Sequence, residues 1–324
     1  MANKFGLKVA AIVLASASVF TACSSSAPAT SGSAAGGGTK TLKIGVTFPI
    51  LDQFLQKVAD AITAEAKAKG VEVNIVAADE KTDTQLGQVE NFVSQKVDGI
   101  IVIPVDTDAA GPMTDAAKGA NIPLVYVNRK PADLPSGVPY VGSDSLYAGT
   151  VEMQELAKLA GGKGNVVILQ GDPANEAAVQ RTKGCNDVVA QNPGMKVIKT
   201  QAGNWYREKG QSIMENWLQS GDDIKVVCAN NDEMALGAIN AIKADNKKLG
   251  ADGILVGGVD ATADALAAMT AGDLAVTVFQ DAAGQGKGGV DAVVDLANGQ
   301  TVKDYVDIPY QLVTPDNMAD FASK

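Results

Sequence analysis

Short apolar runs alternate with amphipathic helical patterns along most of the 324 residues of this chain. In residues 54–69, apolar side chains recur at the spacing of one helix face, and the pattern ends at Gly70. In residues 100–103 every side chain is apolar, which is typical of a strand covered by helices on both faces. The repeated order of strand and helix predicts an α/β fold with parallel sheets.

A Pro-rich connection with Pro131, Pro135 and Pro139 divides the pattern into two similar series, which suggests two lobes. The predicted strands are 42–48, 71–76, 100–103, 124–127, 166–169, 196–200, 226–229, 254–259, 276–279 and 305–313. The predicted helices are 54–69, 82–95, 109–119, 146–160, 176–190, 208–218, 233–244, 263–271 and 290–296.

Polar or aromatic side chains follow many of these strands directly. They are Asn128, Arg129, Gln170, Asn204, Trp205, Asn231, Asp260 and Gln280. Right-handed crossovers bring the carboxyl ends of parallel strands to the same edge of a sheet, where open α/β sheets bind their ligands. One such residue would be a turn or a helix cap, but a set in register predicts a polar ligand site.

Charge and composition exclude several functions. The formal net charge is −10 and the isoelectric point is about 4.6, which argues against nucleic acid as a partner. The chain has no histidine, so it lacks the commonest general base and the commonest metal ligand. The sequence therefore predicts no catalytic residue, no metal site and no cofactor.

The N-terminus has the pattern of a lipoprotein signal peptide over residues 1–22. Lys4 and Lys8 precede a stretch of apolar and small residues, and residues 20–23 form a lipobox whose Cys23 would carry the lipid. Ordinary cleavage without lipidation is the alternative. Residues 23–40 are rich in Ser, Ala and Gly and predict a flexible tether. The folded part would therefore lie outside the cytoplasm, anchored to the membrane by lipid.

Two further cysteines, Cys185 and Cys228, fall in an apolar helix and an apolar strand. An extracytoplasmic location permits a disulfide. Because both positions are part of buried patterns, we expect two buried free thiols.

Three segments resemble the ribose-, galactose- and inositol-type substrate-binding proteins of ABC sugar importers. The segments are Asn230 to Ala238, Gly258 to Thr262 and Val127 to Arg129. The similarity runs in order from Leu42 to Val313, and the segment 230–238 is highly specific to the group. The resemblance implies a monomer of the periplasmic-binding-protein type I fold, which delivers a sugar or polyol to an ABC permease and is not an enzyme.

The resemblance also implies two Rossmann-like lobes joined by a hinge of three crossings. The N-terminal lobe would comprise residues 41–143 plus 281–308, and the C-terminal lobe residues 144–280 plus 309–324. The crossings would lie near residues 142–144, 280–281 and 308–311.

The resemblance assigns roles to positions that match its motifs. Phe54 and Trp205 would cover the faces of a sugar ring. The residues that would hydrogen-bond its hydroxyls are Asp52, Asn128, Arg129, Arg181, Asn231, Asp260 and Gln280. From its place in a helix alone, Arg181 would be a surface residue. Asp52 stands where the ribose-type pattern has Asn, and residues 128–131 and 259–262 look more like the inositol-type binders.

Two segments of the sequence, and the function itself, permit more than one interpretation. In the stretch 229–238, Asp232 would cap the following helix and leave Asn231 to face the ligand. Residues 284–289 match a glycine-rich nucleotide motif, but we interpret them as a helix start. A sensory receptor is one alternative function, and a glycoside hydrolase using Asp52 and Asp260 is another.

Overall fold

The computed structural model describes residues 41–322. The predicted signal peptide and tether, including Cys23, lie outside the described residues. The strands are β1 (Lys43–Phe48), β2 (Glu72–Ala77), β3 (Gly99–Val102), β4 (Leu124–Val127), β5 (Tyr140–Gly142), β6 (Lys163–Gln170), β7 (Gly194–Ala202), β8 (Ile224–Ala229), β9 (Leu255–Gly257), β10 (Thr277–Phe279), β11 (Tyr305–Asp307) and β12 (Gln311–Val313). The helices are α1 (Gln53–Ala68), α2 (Thr82–Ser94), α3 (Gly111–Gly119), α4 (Ser145–Leu159), α5 (Glu176–Ala190), α6 (Arg207–Gln219), α7 (Asp232–Ala244), α8 (Ala263–Thr270) and α9 (Ala282–Ala297). A short 3₁₀ turn, Met318–Phe321, follows them.

Two parallel sheets form the framework, as the alternating pattern predicts. The first sheet has the strand order β11-β5-β4-β3-β1-β2, and the second has the order β7-β6-β8-β9. Every pairing within these two sheets is parallel. Strands β10 and β12 form a separate antiparallel pair. Parallel pairing sends the carboxyl ends of neighbouring strands to a common edge, which is where the polar residues lie.

The chain passes between the two sheets three times. Helix α4 follows β5 of the first sheet, but it packs against α5 and against strands β8 and β9 of the second sheet. Helix α9 follows β10 but packs against α1, β3 and β4, and β11 then joins β5 in the first sheet. The chain finally returns in β12, which pairs with β10. The fold expected from the resemblance, with its three crossings, is therefore confirmed.

The C-terminal strands differ from the prediction of one strand over residues 305–313. Pro309 separates β11 from β12, and these two strands belong to different sheets. Proline has no N–H for a strand ladder and fixes φ, so an uninterrupted strand is unfavourable there. The hydrophobic pattern also does not predict β5, which has three residues.

Helix α9 begins eight residues before the predicted start, at Ala282 rather than residue 290. The glycine-rich residues 284–289 are helical, which fits the interpretation of a helix start. A side chain on Gly286 would come within 2.6 Å of the Val58 carbonyl oxygen, so glycine permits the close approach of α9 to α1.

Aliphatic side chains fill the space on both faces of each sheet. Residues 100–103 of the first sheet are fully buried, as their continuous apolar run predicts. Trp217, which falls within the predicted helix 208–218, is 4% exposed and lies in the core beside α7. Among residues 41–322, no helix combines the length and apolar character needed to cross a membrane.

The prediction of two free thiols is wrong, because Cys185 and Cys228 form a disulfide. Cys185 lies on α5 and Cys228 on β8, and both are fully buried in one apolar cluster. The hydrophobic pattern correctly indicates that each residue is buried. It does not show that the inner face of α5 covers this position of β8.

We expect the disulfide to stabilise the fold by about 2–4 kcal/mol, because it restricts the unfolded chain across a separation of 43 residues. The double variant Cys185→Ala with Cys228→Ala should therefore lose about this much unfolding free energy. Urea unfolding with and without dithiothreitol measures the effect. The reductant should lower the midpoint of the wild-type protein and leave that of the variant unchanged. Equal midpoints for the oxidised wild type and the variant would contradict the expectation.

Candidate functional site

All nine side chains predicted to contact a ligand line a single cavity. They are Asp52, Phe54, Asn128, Arg129, Arg181, Trp205, Asn231, Asp260 and Gln280. The cavity occupies about 370 Å³, counted out to its opening on solvent. Its walls come from the carboxyl-end loops of both sheets, together with the start of α1 and one turn of α5. Gln170 and Asn204, which also follow strands, are not among the lining residues.

The start of α1 supplies an acid and an aromatic ring. Asp52 is the N-cap of α1, and its Oδ1 accepts a hydrogen bond of 2.7 Å from the Leu55 N–H. This cap places Phe54, in the first turn, at the cavity wall. Burial raises the pKa of the Asp52 carboxyl, while the Leu55 N–H and the charge of Arg129 act in the opposite direction.

The loop after β4 supplies Asn128 and Arg129. Asn128 adopts a positive φ of 66°, and its Nδ2 donates to Gln285 Oε1 at 2.9 Å. Arg129 is 7% exposed, and its Nη1 donates to the carbonyls of Pro104 and Val105 at 3.1 and 3.3 Å. Its Nε and Nη2 have no hydrogen-bond partner within residues 41–322. The guanidinium is thus fixed at one end and has donors to offer at the other.

Arg181 is buried, contrary to the surface position that its helix alone suggests. Its Nη1 donates to the Asn230 carbonyl at 2.6 Å, and its Nη2 donates to Gln280 Oε1 at 2.7 Å and to the Tyr310 hydroxyl at 2.6 Å. The guanidinium lies 5.8 Å from the centre of the Trp205 ring and 5.6 Å from that of Tyr310. Its Nε is buried without a hydrogen-bond partner in the described part of the chain.

Asp260 stands on a strained loop after β9. Its φ is 123° and that of Ala261 is 52°, values that residues with a side chain rarely adopt. No described residue donates a hydrogen bond to its carboxylate. Burial raises the pKa of Asp260 well above the ordinary range, although the charge of Arg181 opposes this.

Asp232 holds this loop in place from beneath. Its Oδ2 accepts from the Thr262 N–H at 2.8 Å, and its Oδ1 accepts from the Thr277 hydroxyl at 2.7 Å. The Thr277 hydroxyl oxygen in turn accepts from the Ala261 N–H at 3.2 Å. The backbone on the C-terminal side of Asp260 is therefore tied to one buried carboxylate.

The prediction that Asp232 caps α7 is wrong, because the cap is Asn231. Asn231 is the N-cap of α7, with its Oδ1 accepting from the Met234 N–H at 3.1 Å and its Nδ2 donating to the Trp205 carbonyl at 3.1 Å. Asn231 has the extended backbone that an N-cap requires, whereas Asp232 already begins the helix. Asn231 still lines the cavity, but its amide is engaged within the protein.

Hydrogen bonds join the loops of the two sheets beside the cavity, among them a bond of 3.5 Å from Asn175 Nδ2 to the Val105 carbonyl. The N–H and the hydroxyl of Thr107 both donate to the Ala174 carbonyl, at 3.0 and 2.9 Å. The Tyr206 hydroxyl donates to the Glu80 carboxylate. The loop 106–108 also contains a hydrogen bond from the Asp108 N–H to Asp106 Oδ1. These contacts tie loops of the first sheet to loops of the second.

Residues 44–301 match the family model described as a periplasmic binding protein domain. This chain belongs to that family.

Alignments with individual relatives extend over most of this periplasmic binding protein. A putative rhizopine-binding protein of Rhizobium meliloti is 46% identical over 260 residues, which span 79% of this chain and 84% of that protein. The ribose import binding protein of Bacillus subtilis is 32% identical over 311 residues, or 95% of this chain and 99% of that one. A crystal structure of an ABC transporter solute-binding protein from Bacillus halodurans with bound myo-inositol has a TM-score of 0.85 and 41% identity, and the match covers 89% of this chain and 99% of that one.

Three residues that shape the site of this periplasmic binding protein are missed by the sequence pattern. Asp232 braces the loop of Asp260, Gln285 holds Asn128, and Tyr310 holds Arg181. Tyr310 lies in the predicted third crossing, and this position is the only feature of the sequence that could have identified it as a site residue. Gln285 lies in the glycine-rich segment and shows no such signal.

We expect the stability of the unliganded protein to fall as the pH rises from about 5 to about 7. Burial raises the pKa of Asp232 from 3.8 to about 7. Over this range the native state retains a proton that the unfolded state has released, so raising the pH destabilises the native state. Urea unfolding across the range measures the slope, which is at most about 1.4 kcal/mol per pH unit for one group.

The variant Asp232→Asn removes this ionisation but keeps an oxygen for the Thr262 N–H. Its stability should depend less steeply on pH over the same range. Asp260 and Glu152 are also buried carboxyls with raised pKa values, so some slope should remain. Identical slopes in the two proteins would show that Asp232 does not titrate there.

Proposed function

We propose that this chain is the extracytoplasmic solute-binding protein of an ABC importer and binds one monosaccharide or cyclic polyol, with an inositol-like ring favoured. The observation that supports this most directly is the gathering of all nine predicted side chains around one cavity. Membership of the periplasmic binding protein family supports the same function.

The chemistry of the cavity suits a ring with many hydroxyl groups, since each hydroxyl both donates and accepts hydrogen bonds. The carboxylates of Asp52 and Asp260 accept, while Nε and Nη2 of Arg129 and Nε of Arg181 donate. Hydrogen bonds to charged partners are the stronger kind, and Arg129, Arg181 and Asp260 are each less than a tenth exposed to water. Phe54 and Trp205 offer flat apolar surfaces to the C–H faces of the ring.

The charges around the cavity favour a neutral ligand. Two arginines and two aspartates line it, so the formal charges cancel when both acids are ionised, and burial raises the pKa of both acids, so no negative charge is in excess. Myo-inositol is bound in the Bacillus halodurans structure at 41% identity, and this supports an inositol-like ring over an acyclic solute.

We propose that the ligand is held between two lobes, residues 41–143 plus 281–308 and residues 144–280 plus 309–324. The contacts of Thr107 with Ala174 and of Tyr206 with Glu80 join these lobes. Breaking these contacts would allow hinge motion at the crossings near residues 142–144, 280–281 and 308–311. Hinge opening is the route by which the solute enters and leaves.

We also propose that the chain acts as a monomer, anchored to the membrane through lipid on Cys23 after removal of residues 1–22. Residues 23–40 would tether the folded part near its ABC permease. The protein would bind and release the solute unchanged. A receptor that passes the liganded form to a membrane sensor would use the same site and differ only in its partner.

The direct test is a thermal-shift screen of the full-length chain against myo-inositol, other inositols, xylitol, D-ribose and D-galactose. A ligand at a hundredfold excess over its dissociation constant should stabilise the protein by about 2.7 kcal/mol. Recovery of the ligand unchanged would exclude the hydrolase. If no sugar or polyol raises the melting temperature, the proposed ligand class is wrong.

We expect Asp260→Ala to weaken binding by about ten- to a hundredfold, because removing a charged hydrogen-bond partner costs about 1.5–3 kcal/mol. Isothermal titration calorimetry with the ligand found in the screen measures the change. Asp223→Ala is the matched control, since Asp223 is exposed and does not line the cavity. A variant that folds and binds as tightly as the control would remove Asp260 from the site.

A further inference from the structure

A second cavity lies beside the first and shares three of its lining residues. It occupies about 850 Å³, counted in the same way. We call it the side cavity, and its lining residues are Phe54, Lys57, Asp60, Ala61, Ala64, Asp260, Thr262, Phe279, Gln280, Asp281, Ala282 and Ala283. Phe54, Asp260 and Gln280 also line the polar cavity, so the two spaces meet at these residues.

The side cavity owes its size to small residues. Ala61 and Ala64 lie on the face of α1 that continues from Phe54, and Ala282 and Ala283 begin α9 opposite them. Alanine at these four positions leaves unfilled the space that larger apolar residues would occupy. The ring of Phe279, which is 6% exposed, completes the apolar surface.

Several polar groups of the side cavity are already engaged. Asp281 Oδ1 accepts from the Gly284 N–H at 2.8 Å, and Thr262 Oγ1 accepts from the Ala265 N–H at 3.3 Å. Gln280 Oε1 accepts from Arg181 at 2.7 Å. Lys57 and Asp60 are exposed residues of opposite charge, and Asp260 and Asp281 are two further acids, so the lining does not favour an anion. The carboxylate of Asp260 receives no hydrogen bond from the described residues, but it lies where the two cavities meet and is the acceptor that a ring hydroxyl would use. Most of the remaining surface is made of methyl groups and aromatic rings.

We propose that the side cavity is a subsite for an apolar substituent, a methyl or short alkyl ether, on the ring whose hydroxyls occupy the polar cavity. The inference rests on the proposed function. Its physical basis is that the two spaces are contiguous at Phe54, Asp260 and Gln280, so a group attached to the ring at this end leads from one into the other. A hydroxyl placed in the side cavity would exchange its hydrogen bonds to water for few hydrogen bonds to the protein, which is unfavourable. A methyl group placed there would be removed from water and packed against carbon, which is favourable.

The test compares the polyol found in the screen with its mono-O-methyl and mono-O-ethyl ethers, prepared at each hydroxyl in turn. Isothermal titration calorimetry on the full-length chain gives the ratio of the two dissociation constants. For one ether position we expect binding to tighten by about fourfold for each added carbon, which is the effect of burying one CH₂ or methyl group.

Filling the side cavity should remove this gain. Ala64→Leu and Ala283→Leu each extend a side chain into it from an exposed position, so neither disturbs a packed core. Both should bring the ratio of dissociation constants to about one or reverse it. Ala68→Leu is the matched control, because Ala68 is exposed on the same helix and does not line the side cavity. It should keep the wild-type ratio.

The outcomes separate the subsite from the proposed function. If an unsubstituted polyol binds but no ether binds more tightly, the subsite is excluded while the proposed function stands. If an ether gains affinity and keeps that gain in both leucine variants, the substituent binds elsewhere and the inference is overturned. If no polyol or ether binds, the proposed function and the subsite fall together.

Discussion

The buried guanidinium of Arg181 is the interaction on which the site depends. A buried charge without partners is energetically costly, so folding requires that this guanidinium be hydrogen-bonded. Its partners are the Asn230 carbonyl at the end of β8, Gln280 at the end of β10, and Tyr310 between β11 and β12. The last two lie at places where the chain passes between the sheets. One charge therefore ties the floor of the cavity to two of the three crossings.

The polarity of parallel strands explains why so much of the site is predictable from the sequence. A strand in a parallel sheet ends at the same edge as its neighbours, so polar residues that directly follow strands are brought together by the topology. Asn128, Asn231 and Asp260 are all found by this argument, and the alternating pattern predicts most of the strands and helices. Arg181 lies inside a helix, where this argument does not apply, and only the resemblance to a family placed it in the site.

What the sequence does not predict depends on contacts between distant segments. Each cysteine is correctly predicted to be buried, but their pairing depends on how α5 crosses β8. Asn231 and Asp232 are both good caps, and the choice between them depends on Thr262 and Thr277, which lie thirty or more residues away and bind the Asp232 carboxylate. Short strands such as β5 carry too few residues for a periodic signal, and neighbours rather than propensity make them strands.

The loop of Asp260 is held in an unfavourable conformation and environment before any ligand binds. Its backbone is held at positive φ by bonds to Asp232 and Thr277, and its carboxylate is buried without a hydrogen-bond donor from the described chain. Backbone strain and desolvation of the carboxylate therefore lower the stability of the fold. A ligand hydroxyl that donates to Asp260 offsets part of the desolvation penalty. A solute of the same shape without a donor there would leave the carboxylate unpaired. Selectivity at this position therefore follows from what the fold leaves unsatisfied as much as from what the ligand contributes.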